Sequence, residues 1–175
     1  MKEIEVNLDI DMWRVPCDLL SINFLSSQTS TQSLSKQRID ADASYLPFEP
    51  SSGMEQIENA IRSKEGCKLS GTIFNHFVEP VVTIGYGGIP PPILMMLMGN
   101  LPEFTFNLSH TINHFSIGKK NDCMATMIAM GQEPSGCFGM NGKKTIELDT
   151  PGKQGQHYRH TYFVNVFSFD LDRAK

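Results

Sequence analysis

A chain of 175 residues is long enough for one domain with a substantial core, and its 40% apolar and 19% charged residues exclude a disordered composition. The net charge of −4 excludes a generally basic surface for nucleic acid. The longest apolar run, Ile93–Met98, is far shorter than the roughly 20 residues that span a bilayer, and no signal peptide is recognisable. We therefore expect a single soluble domain over residues 1–175, cut from a longer protein or standing alone.

Two strands are predicted near the N-terminus. Residues 3–12 alternate strictly between apolar and polar side chains, a period of two that is typical of a half-buried strand. The polar face of this strand carries Asp9 and Asp11, which we interpret as solvated carboxylates. The apolar residues between Leu19 and Leu25 predict a second strand, and the Ser-rich segment 26–37 fits either a loop or a polar edge strand.

One amphipathic helix and further strands are predicted in the middle of the chain. Ser52 and Glu55 have the spacing of a capping box, and the apolar positions that follow share one helical face until about Ser63. Strands are predicted over 68–78 and 81–84, before a glycine-rich turn that lacks the Lys-Ser/Thr of a phosphate loop. Pro90–Met98 predicts a short buried helix, with its methionines in the core rather than on a binding surface.

Alternation returns in residues 103–113 and indicates another strand. Its apolar face includes His110, its polar face includes Asn107, and the phase slips at His114-Phe115 as a β-bulge would make it. A similar slip within 162–171 indicates a second long, bulged strand. The predicted fold is therefore mainly β, a β-sandwich of two antiparallel sheets with one or two short helices.

The four cysteines, Cys17, Cys67, Cys123 and Cys137, form no close pair of the kind that binds zinc. Their spacing allows two disulfides in three connectivities, or four buried free thiols in a cytosolic protein. The sequence assembles no catalytic Ser-His-Asp, Cys-His or paired-carboxylate arrangement. We expect no catalytic residue, no metal site and no cofactor, so that the protein is not an enzyme.

Four segments carry a resemblance to a known family. They are Pro16-Cys17-Asp18-Leu19-Leu20-Ser21, Gln37-Arg38-Ile39-Asp40, Glu65-Gly66-Cys67-Lys68-Leu69-Ser70-Gly71, and the stretch Phe106–Gly118. In this order they resemble the luminal domain of the ERGIC vesicle proteins, cargo receptors that cycle between the ER and the early Golgi. Segment 26–37 replaces a glycine-containing acidic step of that family, and extra paired cysteines are missing before Glu65, which favours the cysteine-poor branch or a divergent member.

The resemblance implies a single luminal domain of a longer membrane protein in the ER, the ER–Golgi intermediate compartment and the Golgi. It implies binding to cargo proteins and to a family partner subunit in a hetero-oligomer, and contact with a vesicle coat through parts outside this chain. No nucleic acid is expected. An oxidising lumen favours a Cys17–Cys67 disulfide, and we also predict a bridge between Cys123 and Cys137.

Three residues are predicted to be modified or to sense pH. Asn107 begins an Asn-Leu-Ser glycosylation sequon. His110 and His114 are either satisfied core histidines or pH sensors, because a histidine can change its charge between ER and Golgi pH. Two other functions stay open at this point: a secreted lectin-like β-sandwich, and a thiol-dependent enzyme that uses Cys123 or Cys137.

Overall fold

The computed structural model of the chain describes residues 4–25, 31–75, 81–101, 104–118 and 140–146, with Ile128, Gly131 and Tyr162 as single residues. Within these ranges the strands form two antiparallel sheets, and two short helices accompany them. The predicted β-sandwich is confirmed. The elements in chain order are β1 (Ile4–Met12), β2 (Leu20–Leu25), β3 (Thr31–Ile39), β4 (Tyr45–Pro47), α1 (Met54–Arg62), β5 (Gly66–Asn75), β6 (Val81–Tyr86), α2 (Pro91–Asn100), β7 (His110–Ile117) and β8 (Lys143–Thr145).

The larger sheet has the strand order β4-β3-β5-β1-β7-β8, and β2 pairs with β6 in the smaller one. The apolar face predicted for β1 is buried at Val6, Leu8, Ile10 and Met12. The core lies against this face of β1. It is completed by buried apolar residues of both sheets, of the connection between β1 and β2, of α2 and of the residue that follows α2: Val15, Leu19, Leu20, Leu69, Ile73, Leu97, Leu101 and Ile112.

A β-bulge interrupts the pairing of β1 with β7. Asp9 lies opposite His114 and Ile10 opposite Ile112, so that Asn113 is the extra residue. The predicted slip is therefore present, at Asn113 rather than at His114-Phe115. A bulge turns the side chain of the extra residue, and here it brings Asn113 toward the polar face of β1.

The segment that fitted a loop or a polar strand forms β3 from Thr31 onward. It pairs with β5 along its whole length, and β4 covers its other side only at Gln37–Ile39. Helix α1 ends at Arg62 as predicted, but the predicted capping box is wrong. Gly53 is the N-cap without a side-chain hydrogen bond, and the Gln56 side chain accepts the Ser52 N–H instead (2.8 Å).

The strand predicted over 103–113 is wrong in its first half, since β7 begins only at His110. Phe104 and Phe106 do alternate, but their rings pack edge-to-face on Tyr86, with centroid distances of 5.9 and 5.0 Å. Aromatic packing thus takes the place of strand pairing here. Neither helix in the described ranges has the length and apolar character of a membrane span.

Candidate functional site

The three shorter of the four segments that carry the family resemblance meet at one disulfide-linked junction. Cys17 and Cys67 form the predicted disulfide, with a Cα–Cα distance of 4.8 Å and both side chains buried. Cys17 lies in the turn in which the Leu19 and Leu20 N–H groups donate to Pro16 O. Cys67 lies in β5, between its partners in β1 and β3. The bridge therefore ties the turn before β2 to the middle of the larger sheet.

An ion pair joins the motif that contains Arg38 to Glu65, in the motif that contains Cys67. The Arg38 guanidinium donates to both carboxylate oxygens of Glu65, one of them at 2.9 Å from Nε. Between Glu65 and Cys67, the backbone of Gly66 lies so close to β1 that a Cβ would collide with the Met12 carbonyl. Each residue of Glu65-Gly66-Cys67 therefore has a structural role, respectively ion pairing, close backbone approach and disulfide formation.

A half-buried lysine completes the junction. The Lys36 ammonium in β3 donates to the carbonyls of Cys17 (2.9 Å) and Leu20 (2.7 Å). Burial lowers the pKa of Lys36 below its ordinary value, and the charge of Asp18 opposes this shift. Asp18 in turn accepts hydrogen bonds from the N–H and hydroxyl of Ser51 (2.9 and 2.8 Å). The resemblance therefore rests on residues that hold the fold together.

The two predicted histidines lie on opposite faces of β7. His110 is buried on the core side, where Nδ1 donates to Leu108 O (2.7 Å) and Nε2 is 2.8 Å from the Tyr162 hydroxyl. A hydroxyl can either donate or accept, so both ring nitrogens of His110 keep these partners whether the ring is neutral or charged. The geometry supports the interpretation of His110 as a satisfied core histidine.

The hydrogen bonds of His114 require one particular ring nitrogen to be unprotonated. The Asn141 side chain accepts the Phe115 N–H through Oδ1 (3.0 Å), which orients its Nδ2 toward His114 Nδ1 at 3.4 Å. Nδ1 is therefore an acceptor, and Nε2 donates to the Ser116 hydroxyl (3.1 Å). A proton added at Nδ1 would face the amide donor of Asn141 and break that contact. Among these hydrogen bonds of the two histidines, the one between His114 and Asn141 is the one that a charged ring would lose.

Asn107 does not lie on an exposed polar face as predicted. Its side chain is 4% exposed, and Oδ1 accepts the Ser109 N–H at 2.9 Å. A glycan on Nδ2 would require this side chain to leave its site, so the burial opposes the predicted modification. Cys123 and Cys137, with their predicted bridge, lie outside the described residues, as does the strand predicted near the C-terminus.

A polar cluster on the outer face of the larger sheet was not predicted. Asp11 is 2% exposed, and its Oδ2 accepts from the Tyr45 hydroxyl (2.9 Å) and the Asn113 amide (2.8 Å). Asn113, the bulge residue, also donates to Asp9 Oδ1 (3.1 Å), which lies 3.0 Å from the Lys68 ammonium. The interpretation of Asp11 as a solvated carboxylate is wrong, because residues distant in sequence cover it.

The Tyr45 hydroxyl in this cluster is predicted to make stability depend on alkaline pH. Burial, followed by the hydrogen bond to Asp11 and the charges of Asp11 and Asp9, raises the pKa of Tyr45 to about 12. An unfolded tyrosine loses its proton near pH ~10, so above that pH the folded state holds more protons than the unfolded state. The free energy of unfolding should therefore fall as pH rises through this window.

Urea unfolding of wild type and Tyr45→Phe across that window measures the effect. The phenylalanine variant should show a shallower fall, and its tyrosinate absorbance titration should lack the late-titrating group. Equal slopes in the two proteins would contradict the assignment of the shift to Tyr45.

Helix α2 exposes an apolar surface instead of burying it. We call Met95, Met96 and Met98 the methionine surface; these side chains are 73%, 58% and 39% exposed. Leu97 is the one fully buried residue of the helix, and α2 contains no charged residue. The prediction that the methionines lie in the core is wrong. A continuous apolar run has no hydrophobic period, so the sequence does not indicate which side of the helix packs against the core.

Comparisons with known proteins give one distant likeness. No family model matches the chain, and no curated protein matches it. Among solved structures, the chain is similar to one described as "Crystal Structure of Erv41p", with 21% identity and a TM-score of 0.38, covering 68% of this chain and 58% of that one. The chain thus spans less than two thirds of that structure's length. At this identity and TM-score we take neither fold nor function from the likeness to Erv41p.

Proposed function

We propose that this chain is the luminal domain of a cargo receptor that travels in vesicles between the ER and the Golgi, and that it acts by binding rather than by catalysis. The observation that carries the proposal is the junction at Cys17–Cys67. It unites the three short motifs on which the resemblance to the ERGIC family rests, through a disulfide, an ion pair and a close glycine. A buried disulfide fits an oxidising compartment such as the ER lumen.

The partners follow from the same resemblance. They are cargo proteins, a partner subunit of the same family in a hetero-oligomer, and a vesicle coat that is contacted by parts outside this chain. The methionine surface supports binding as the activity, because exposed apolar patches on soluble domains mark interaction sites.

A vesicle-budding reaction tests the proposal. The tagged full-length protein is placed in ER membranes, vesicles are formed with purified coat proteins, and both membrane fractions are probed. We expect the protein to be concentrated in the vesicles together with co-captured proteins, while a resident ER membrane protein stays behind as the control. Retention of both proteins in the donor membranes would overturn the proposal.

Binding to co-captured proteins is predicted to weaken on acidification, when His114 gains a proton. A proton on His114 Nδ1 would oppose the Asn141 amide and loosen the contact between β7 and the turn before β8. The double variant His110→Gln with His114→Gln should bind equally before and after acidification. Capture assays on wild type, the double variant and each single variant measure this.

The single variants separate the two histidines. His114→Gln alone should remove the pH dependence, whereas His110→Gln should retain it, because the contacts of His110 suit both charge states. An identical pH profile in wild type and the double variant would exclude both histidines as the sensor.

A further inference from the structure

We propose that the methionine surface of α2 binds an apolar segment of a client protein that is flanked by basic residues. The identity of the client as cargo rests on the proposed function, but the binding itself does not. The proposal assigns a role to three exposed methionines that the sequence had led us to expect in the core.

The composition of α2 defines the apolar part of the site. Three exposed methionines lie within a helix that has no charged side chain, and they are joined on the exposed side by Pro91, Pro92 and Gly99. Leu97 anchors the opposite side in the core. Methionine is unbranched and polarisable, so such a surface can adapt to apolar partners of different shape.

Helix α1 contributes the charged residues of the site, Glu55 and Glu58, which we call the acidic rim. Asn100 at the end of α2 donates to Glu58 of α1 (3.4 Å), and Glu55 is exposed one turn earlier on the same face of α1. Arg62, one turn later on α1, is a basic residue that also takes part in an interaction. Together with the net charge of −4, these carboxylates favour a partner with basic residues beside its apolar segment.

A protein segment fits this surface better than a membrane does. Helices that lie on a bilayer combine an apolar face with Lys or Arg for anionic headgroups and with Trp or Tyr at the interface. Helix α2 has none of these residues, and the acidic rim would repel anionic lipid. The charge of the rim and the composition of the helix therefore both favour a peptide with apolar and basic residues as the partner.

The purified domain and a synthetic amphipathic peptide of Leu and Lys test the proposal. With methyl-labelled methionine, the NMR signals of Met95, Met96 and Met98 should shift on addition of the peptide, while that of buried Met12 should not. Fluorescence anisotropy then compares wild type with the triple variant Met95→Gln, Met96→Gln and Met98→Gln. We expect the triple variant to bind about tenfold more weakly.

One control variant and two tests of the acidic residues sharpen the comparison. Ile146→Gln changes another exposed apolar residue, 66% exposed just after β8, and should leave the affinity unchanged. Glu55→Gln with Glu58→Gln should weaken binding of the Leu-Lys peptide and reduce its salt dependence. The matching Leu-Glu peptide should bind wild type more weakly than the Leu-Lys peptide does.

Three outcomes would overturn the proposal. The first is an affinity that the triple variant leaves unchanged. The second is binding of vesicles of phosphatidylcholine and phosphatidylserine that the triple variant abolishes, which would make the surface a membrane contact. The third is self-association in sedimentation that the triple variant abolishes, which would assign the surface to a second copy.

The failure of this proposal and that of the proposed function are distinguishable. Peptide binding by the purified domain without vesicle packaging of the full-length protein would reject the cargo-receptor function but support the methionine surface as a peptide-binding site. Packaging without peptide binding at α2 would keep the function and reject this surface.

Discussion

Replacing Cys17 and Cys67 together by alanine is expected to lower the free energy of unfolding by about 4 kcal/mol. The two residues are 50 positions apart, so the bridge closes a long loop and restricts the unfolded chain strongly. Both side chains are buried between the turn before β2 and the larger sheet, so the variant also loses packing. Equilibrium unfolding in guanidinium chloride measures the difference.

Reductant provides the control for the disulfide. Wild type with dithiothreitol should lose nearly as much stability as the double variant, and the double variant should be insensitive to it at Cys17 and Cys67. A further loss in the reduced double variant would come from the other two cysteines. Equal stability of wild type with and without reductant would exclude the bridge.

Replacing Leu97 by alanine is expected to cost about 2–5 kcal/mol of unfolding free energy. This side chain is fully buried and is the main attachment of α2 to the core. Its truncation leaves a cavity beneath the helix, because the surrounding strands relax only partly. Urea unfolding followed by circular dichroism measures the loss.

The neighbouring residue is a matched control for Leu97. Met96→Ala also shortens an apolar side chain of α2, but Met96 is 58% exposed, and its change should stay within about 0.5 kcal/mol. Comparable losses in the two variants would mean that α2 does not attach to the core through Leu97.

Local patterns in the sequence were sufficient to predict much of the fold. Strict alternation placed β1, an apolar stripe placed α1, and a shift of phase predicted the bulge in β7 within one or two residues. These features depend on residues that are close in sequence, and they are visible as a hydrophobic period of 2 residues in strands and 3.6 residues in helices. The pairing of β1 with both β5 and β7 carries no such local signal.

Apart from the Cys17–Cys67 disulfide, features that depend on contacts distant in sequence could not be predicted. Asp11 is buried because Tyr45 and Asn113 cover it from two other strands. The exposure of Met95 and Met96 depends on which side of α2 packs against the core, and a continuous apolar run carries no information about that side. The motif residues were recognised, but only the structure brings Arg38 and Glu65 together as an ion pair.

The strand order has a consequence for how the chain folds during synthesis. Four adjacent strands of the larger sheet, β4, β3, β5 and β1, and both cysteines of the bridge lie within the first 75 residues. This half-sheet can therefore pair, and its disulfide can form, before the ribosome has completed β7. Oxidation at this stage would hold the N-terminal half in its native register while the remaining strands are added at one edge.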